Sequence, residues 1–170
     1  MLSKRVYLVT GANKGIGFEV VKKLSEKQSA DLILLGSRNQ KRGDDAIIRL
    51  GSPSNVKILL LDVSSKESIE HAKQEIQEKH GGYIDVIINN AAIGDIGLSM
   101  EVLTATFNTN FYGVKQVNDT LSSLIRDNGC IVNVSSYLGA VCLKHCSEEL
   151  QGQFLNPNLT ETTLEQLFLS

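Results

Sequence analysis

A glycine-rich stretch near the start of the chain has the residue types and spacing that suit a phosphate ligand. It is Thr10-Gly11-Ala12-Asn13-Lys14-Gly15-Ile16-Gly17, and it lies between an apolar run and a segment with helical periodicity. At such a junction the first glycine makes a tight turn, the second lets the backbone approach a dinucleotide pyrophosphate, and the third lets helix and strand pack closely. The free N–H groups of the helix N-terminus would attract the anion. The alternative is a turn whose glycines only relieve backbone strain.

A cation follows the second apolar run, at the position that distinguishes two kinds of dinucleotide. An acidic residue about 20 positions beyond the glycine loop would bind a ribose hydroxyl, but this sequence has Arg38 there. A guanidinium attracts a phosphate and offers nothing specific to a diol, so the sequence predicts NADP(H) rather than NAD. Lys14, inside the loop, favours the same ligand. Taken alone, either cation could be a solvated surface residue.

The elements that must position these residues alternate along the chain. Short runs rich in leucine and β-branched residues alternate with amphipathic segments, which predicts an α/β fold: a doubly wound parallel sheet of Rossmann type, with about five strands. The predicted strands are residues 6–9, 32–35, 57–61, 86–88 and 130–134. The predicted helices are a segment with Ile16, Val20 and Leu24 on one face, residues 44–50, a helix from Ser64 to Gly81, and residues 99–126 with Leu103, Phe107, Phe111, Val114, Val117 and Leu121 inward. Beyond Gly139 the pattern changes to short helices, one beginning near Glu148 and one capped by Thr160.

Composition argues against several classes of function. The 170 residues, 42% hydrophobic and with a net charge of -2, describe an ordinary globular protein without a basic nucleic-acid-binding surface. No apolar run approaches the roughly 20 residues of a membrane span, and the first residues resemble no leader, so we expect a cytoplasmic protein with no membrane partner. The three cysteines have no paired CxxC spacing, so we expect neither a disulfide framework nor a metal site.

Five separated motifs together resemble the short-chain dehydrogenase/reductase family. They are the glycine loop, Asp62-Val63 after the third strand, Asn89-Asn90-Ala91-Ala92 after the fourth, Asn110 with Gly113 in the long helix, and Asn133-Val134-Ser135-Ser136 after the fifth. Within this family the chain is similar to the monomeric NADPH-dependent carbonyl reductases, through residues 11–17, 109–113 and 143–151. The resemblance implies an oxidoreductase that transfers a hydride from NADPH to a small ketone or aldehyde.

The resemblance also implies a role for each motif. The residues that would bind the cofactor are Gly11, Asn13, Lys14, Gly15, Ile16, Gly17, Arg38, Asp62, Val63, Asn89, Asn90 and Ala91. Asn110 would hold a water molecule of a proton relay, and Ser136 would donate a hydrogen bond to the substrate carbonyl. From the residues alone, Asp62 and Ser136 could simply form turns, and Asn89 and Asn90 could cap the sheet edge. Asn110 needs a partner in any case, because an amide among apolar neighbours costs free energy when unpaired.

The family completes its active site with a tyrosine followed four residues later by a lysine, and no tyrosine of this sequence has that partner. The pair supplies a general acid with a lowered pKa, and its loss should cost roughly 10² to 10⁴ in rate. By the resemblance, residues 1–139 are an NADP-binding domain, and residues 140–170 are the first part of an insertion that precedes the pair. We therefore expect a C-terminally truncated chain. The alternative function is a catalytically inactive nucleotide-binding or interaction protein.

The predicted fifth strand is nearly all apolar, and in a truncated chain it would lie at the edge of an incomplete sheet. Exposed apolar edges pair with other chains. We therefore expect this chain to self-associate, although the family type is monomeric, unless the residues after 140 cover the strand.

Overall fold

The computed structural model describes residues 4–29, 31–94 and 99–169. The chain divides into two compact units, Met1–Val134 and Ser135–Ser170. The assignment of residues 140–170 to a family-specific insertion stays a prediction.

The first unit is built on one sheet of five parallel strands. They are β1 (Val6–Val9), β2 (Leu32–Ser37), β3 (Val56–Leu60), β4 (Ile84–Asn89) and β5 (Ile125–Asn133). Their order is β3-β2-β1-β4-β5, and every neighbouring pair is parallel. This confirms the predicted doubly wound sheet of Rossmann type. From β1 the chain adds β2 and β3 on one side and then returns to add β4 and β5 on the other, so the strand order reverses between β1 and β4. The loops after these two strands therefore flank the crevice where such sheets bind ligands.

Helices cover both faces of the sheet. They are α1 (Gly15–Lys27), α2 (Gln40–Arg49), α3 (Lys66–Lys79), α4 (Met100–Phe107) and α5 (Gly113–Leu121). Leu8 and Leu34 belong to a core cluster with residues of α3 and α5, whereas Val9 and Leu35 belong to a second cluster with residues of α1 and α2. Because successive side chains of a strand point to opposite faces, a strand covered on both sides is apolar throughout. This explains why the apolar runs located the strands.

Two helix starts differ from the sequence-based prediction. Helix α2 begins at Gln40 rather than residue 44, because the Asn39 side chain accepts a hydrogen bond from the Arg42 N–H at 3.0 Å and caps the helix. Helix α3 is capped by Ser65, whose hydroxyl accepts from the Ser68 N–H at 3.2 Å, and not by Ser64. On α1, the predicted inward residues Val20 and Leu24 pack against the second core cluster and Val21 is fully buried in it, whereas Ile16 is 65% exposed and was wrongly assigned to the inward face.

The predicted helix over 99–126 is interrupted. Between α4 and α5 the residues Asn108–Tyr112 form a turn of π-helix, and after α5 a 3₁₀ turn leads into β5. A π-helical turn holds more residues than an α-helical turn, so the inward stripe does not continue in one phase through both helices. Val117 and Leu121 are fully buried as predicted, but Leu103 is 39% exposed and was wrongly assigned to the core.

Strand β5 lies at one edge of the sheet and begins earlier than predicted. It pairs with β4 at Ile125 and again from Cys130, with an irregular excursion between them. Ile131, Val132 and Val134 are 38%, 45% and 42% exposed. Self-association through this edge stays a prediction.

The second unit contains three short helices, α6 (Tyr137–Lys144), α7 (Glu148–Phe154) and α8 (Glu161–Leu169). The predicted helix start at Glu148 is confirmed, and Thr160 accepts a hydrogen bond from the Thr163 N–H at 3.2 Å, as expected of a cap. Phe154 of α7 and Phe168 of α8 lie with ring centroids 6.3 Å apart.

Candidate functional site

The glycine loop joins β1 to α1, and its glycines meet different constraints. Gly11 and Gly15 have φ angles of 62° and 59°, which other residues rarely adopt. A Cβ atom on Gly11 would lie 2.8 Å from the Cα of Ala91, and one on Gly17 would lie 3.0 Å from the Cα of Ala12. A Cβ on Gly15 would meet no atom of the described residues within 4 Å. Gly11 and Gly17 therefore permit close packing, while Gly15 leaves the space above the loop open.

Hydrogen bonds connect the glycine loop to the loop after β4. The Thr10 hydroxyl accepts from the backbone N–H groups of Asn90 and Ala91, at 3.0 and 2.9 Å. The Asn90 side-chain amide donates to the backbone oxygens of Thr10 and Gly11, at 2.9 and 3.3 Å. Asn90 thus anchors the two loops to each other, and they form one wall.

A cleft of about 450 Å³ opens beside this wall, at the carboxyl ends of the strands. Among its lining residues, those predicted from the sequence are Gly11, Asn13, Lys14, Gly15, Ile16, Arg38, Asp62, Val63, Asn90 and Ala91. Two of the predicted cofactor-binding residues, Gly17 and Asn89, are buried and do not line the cleft. Sequence reasoning missed the lining residues Arg42, Leu61, Ala92, Ile93 and Thr109. The signal for Arg42 was present, since a helix capped by Asn39 has Arg42 in its first turn, four residues after Arg38.

The charge of the cleft is mostly positive. Among the described residues that line it, Lys14, Arg38 and Arg42 are cations and Asp62 is the one carboxylate. Within the described ranges, none of these three cations takes part in an ion pair. Helix α1 also begins here, at Gly15, and its N-cap residue Lys14 provides no side-chain hydrogen bond to the first N–H groups. The cleft therefore combines unpaired cations with a helix N-terminus, which together suit a ligand that carries several phosphates.

Asp62 fulfils the turn role and also lines the cleft. Its Oδ1 accepts hydrogen bonds from the Ser64 N–H at 3.0 Å and from the Ser64 hydroxyl at 2.7 Å. These bonds fix the loop after β3, and Val63 follows in the cleft wall. Gly113 keeps this loop close to α5, because a Cβ there would lie 2.8 Å from the Val63 backbone oxygen.

Asn89 has structural partners behind the cleft. It is 3% exposed, and its Nδ2 donates to Oδ1 of Asn118 and to Oδ1 of Asn133, both at 2.8 Å. These amides connect β4 to α5 and β5. A role of Asn89 in holding a ligand stays a prediction.

Asn110 lies in the π-helical turn, and its partner is the backbone of Ile93. Its Oδ1 accepts from the Ile93 N–H at 2.9 Å, and its Nδ2 donates to the Ile93 oxygen at 2.8 Å. This closed pair of hydrogen bonds holds the segment that follows β4. The water-holding role of Asn110 stays a prediction.

Ser136 belongs to the second unit, where its hydroxyl caps α6 by accepting from the Leu138 N–H at 3.2 Å. A hydroxyl that accepts a hydrogen bond can still donate its own proton. Its role toward a substrate carbonyl stays a prediction.

The parallel sheet, its crossover at β1 and β4, and the glycine loop define a Rossmann-type α/β protein. The model of the family described as short chain dehydrogenase matches residues 5–148. The chain therefore belongs to the short-chain dehydrogenase/reductase family.

Curated relatives and solved structures agree with this membership. Carbonyl reductase (NADPH) 1 of Bos taurus is 37% identical over 170 residues, which cover 95% of this chain and 60% of the relative. Salutaridine reductase from Papaver somniferum matches with a TM-score of 0.84 and 26% identity over 98% of this chain and 69% of its own. An alcohol dehydrogenase from Thermococcus sibiricus complexed with 5-hydroxy-NADP has a TM-score of 0.70 and 26% identity over 79% of this chain and 59% of its own. The chain thus spans about three fifths of the bovine relative's length.

The part of the chain that the structure describes shows neither a metal centre nor a membrane-spanning helix. There, no group of three or more histidine, cysteine, aspartate or glutamate residues is placed to hold a metal ion. Nor does any helix in this part have both the length and the apolar character needed to cross a membrane.

Proposed function

We propose that the cleft binds NADP(H) and that the protein is an oxidoreductase of the carbonyl reductase type, acting on a ketone or aldehyde. The observation that carries this proposal is the set of three cations, Lys14, Arg38 and Arg42, that form no ion pair with any described residue and line a cleft walled by the glycine loop. The name of the bovine relative, a carbonyl reductase that uses NADPH, supports the same reaction.

The residues present suit the nucleotide's phosphates. The first turn of α1 offers N–H groups to the pyrophosphate, and Gly15 leaves the approach open. Arg38 and Arg42 would hold the 2′-phosphate, because a guanidinium donates charge-assisted hydrogen bonds to phosphate oxygens. Asp62 and Val63 would face the adenine from the loop after β3, and Ala91 would border the nucleotide on the other side.

The reaction needs a reductant and a proton donor. When bound, NADPH supplies a hydride equivalent to the carbonyl carbon. Ser136 would donate its hydroxyl proton in a hydrogen bond to the carbonyl oxygen and so polarise the bond. Asn110 keeps Ile93 in place, and a second lone pair of its Oδ1 would be free to accept from a water molecule. Hydride transfer would leave an alkoxide on the former carbonyl oxygen, which must then take a proton. Because the sequence holds no tyrosine followed by lysine four residues later, that proton would come from water, and we expect the 170-residue chain to turn over slowly.

Two measurements on the 170-residue chain test the proposal. The first titrates NADPH by its fluorescence, and the second follows NADPH oxidation with a simple dicarbonyl. Binding together with a slow turnover that Ser136→Ala abolishes would support the oxidoreductase. Binding with no turnover above the uncatalysed rate would favour the alternative of a nucleotide-binding protein without activity. The absence of NADPH binding would contradict the proposal.

A further inference from the structure

We infer that Arg49, at the end of α2, is a positioning residue that holds the glycine loop in its phosphate-binding conformation. The inference rests on the proposed function of the cleft. The Arg49 guanidinium donates a hydrogen bond from Nη2 to the backbone oxygen of Asn13 at 2.5 Å. The same guanidinium lies over the ring of Phe18, with its Cζ atom 4.4 Å from the ring centroid.

Arginine can make both contacts at once. Its N–H groups point outward in the plane of the guanidinium, while the face of that plane stacks on an aromatic ring. Asn13 belongs to the loop and Phe18 to α1, so one side chain of α2 connects three elements. Lysine would keep the charge but lose the planar geometry that serves both partners.

The contact with Asn13 determines how one peptide unit of the loop is oriented. In a trans peptide the carbonyl oxygen and the following N–H point in opposite directions. Holding the Asn13 oxygen toward Arg49 therefore also holds the Lys14 N–H on the other side of that peptide. Lys14 lies at the start of α1 and lines the cleft, so this orientation belongs to the part of the loop that would meet the pyrophosphate.

Helix α2 thereby links the two halves of the proposed site. Arg42 lines the cleft, and Arg49 follows it by about two helical turns, on the same side of α2. Arg49 is exposed and is not among the lining residues. It would therefore act on the ligand through Asn13, whereas Arg38 and Arg42 would act on the 2′-phosphate directly. The simpler alternative is a surface arginine whose contacts do not affect the ligand.

The test compares Arg49→Ala and Arg49→Lys with Lys41→Ala, a matched control that removes another exposed cation of α2 outside the cleft lining. Affinities for NADPH and NADH are measured by fluorescence, and hydrogen exchange of residues 12–17 is followed in the nucleotide-free protein. We expect Arg49→Ala to weaken both nucleotides by a similar factor, roughly three- to tenfold, because a hydrogen bond from a charged group is lost. Exchange in the loop should accelerate. Arg49→Lys should fall between Arg49→Ala and wild type, and Lys41→Ala should change neither affinity nor exchange.

Three results would overturn the inference. The first is unchanged nucleotide affinity and unchanged exchange in Arg49→Ala. The second is a loss confined to NADPH, which would make Arg49 a direct ligand of the 2′-phosphate. The third is a lower melting temperature with no local change in the loop. If the wild-type protein bound neither nucleotide, the proposed function would fail, and the exchange measurement would still decide whether Arg49 holds the loop.

Discussion

The two ends of the parallel sheet both carry arginine, but they use its charge in opposite ways. At the amino end, Arg126 forms an ion pair with Asp85, and its guanidinium lies 4.0 Å from the ring centroid of Tyr83. At the carboxyl end, Arg38 and Arg42 line an open cleft and take part in no ion pair within the described ranges. Arg126 therefore stabilises the packing of the strands, whereas Arg38 and Arg42 are available to bind an anionic ligand.

At the amino end, Asp85 and Arg126 satisfy each other's charge within the protein. Besides Arg126, Asp85 accepts a hydrogen bond from the Val6 N–H at 2.7 Å, and so connects β4 with β1 and β5. The Asp85 side chain is only 15% exposed, and a carboxylate is removed from water at acceptable cost only when it is paired in this way. The cations of the cleft keep their hydration, so they cost little before an anion arrives and can bind one strongly when it does.

The largest effect is expected from Asp85→Ala. The change leaves Arg126 without its carboxylate and the Val6 N–H without its acceptor, so the free energy of unfolding should fall by about 3 kcal/mol. Urea denaturation measures the loss. The affinity of the folded variant for NADPH should equal that of wild type. A weakened affinity would contradict the claim that the amino end of the sheet serves stability and the carboxyl end serves ligand binding.

Arg38→Asp should weaken nucleotide binding and leave the stability of the fold almost unchanged. Reversing this charge replaces an attraction for phosphate with a repulsion, so NADPH affinity should fall on the order of a hundredfold, while the free energy of unfolding should change by less than about 0.5 kcal/mol. Fluorescence titration measures the NADPH affinity, and urea denaturation measures the free energy of unfolding. Lys41→Asp, the same reversal on α2 away from the cleft lining, is the control. Unchanged NADPH affinity in Arg38→Asp would remove the proposed role of this residue.

Two glycines of the loop sharpen the comparison within the carboxyl end. Gly11→Ala combines an unfavourable positive φ with a 2.8 Å approach to the Ala91 Cα, so it should destabilise the fold by about 2 kcal/mol or more. Gly15→Ala has the same unfavourable positive φ, but the added methyl group would meet no described atom within 4 Å, so the free energy of unfolding should fall by only about 1 kcal/mol. The methyl group would stand in the open space beside the loop, so it should weaken NADPH binding. Gly51→Ala, with a φ of 82° and no described atom within 4 Å, is the matched control. It should lose similar stability to Gly15→Ala and no affinity; equal NADPH affinity in all three folded variants would contradict the account of the loop.

Arg42→Ala should affect NADPH affinity less than Arg38→Asp does. Removing one of the cleft's three cations should weaken NADPH binding by about tenfold and leave NADH binding unchanged, because only NADPH carries the 2′-phosphate. Parallel fluorescence titrations with the two nucleotides give the ratio. An equal loss for both nucleotides would move Arg42 from the 2′-phosphate to the pyrophosphate.

Local signals in the sequence predicted much of the fold and part of the site. Apolar runs located the strands because the sheet is covered on both faces, and the glycine spacing located the loop. Arg38 was recognised from its distance to that loop along the chain. Arg42 was missed because the cap at Asn39 was not recognised, so that α2 was predicted to begin after it.

What the sequence could not predict depends on contacts between distant residues. Asn110 pairs with Ile93, seventeen positions away, and Asn89 pairs with Asn118 and Asn133. Nothing in the local pattern around these asparagines distinguishes a structural partner from a ligand. The π-helical turn at Asn108–Tyr112 likewise shifts the phase of a helix whose apolar periodicity was interpreted as continuous.

The most direct test of the cleft's role is the ratio of NADPH to NADH affinity for the unmodified chain, measured by fluorescence titration at low and at high salt. If Arg38 and Arg42 bind the 2′-phosphate, NADPH should bind at least about tenfold more tightly than NADH at low salt. This preference should shrink at high salt, because salt screens the charges. Equal affinity for the two nucleotides, or binding of neither, would contradict the account.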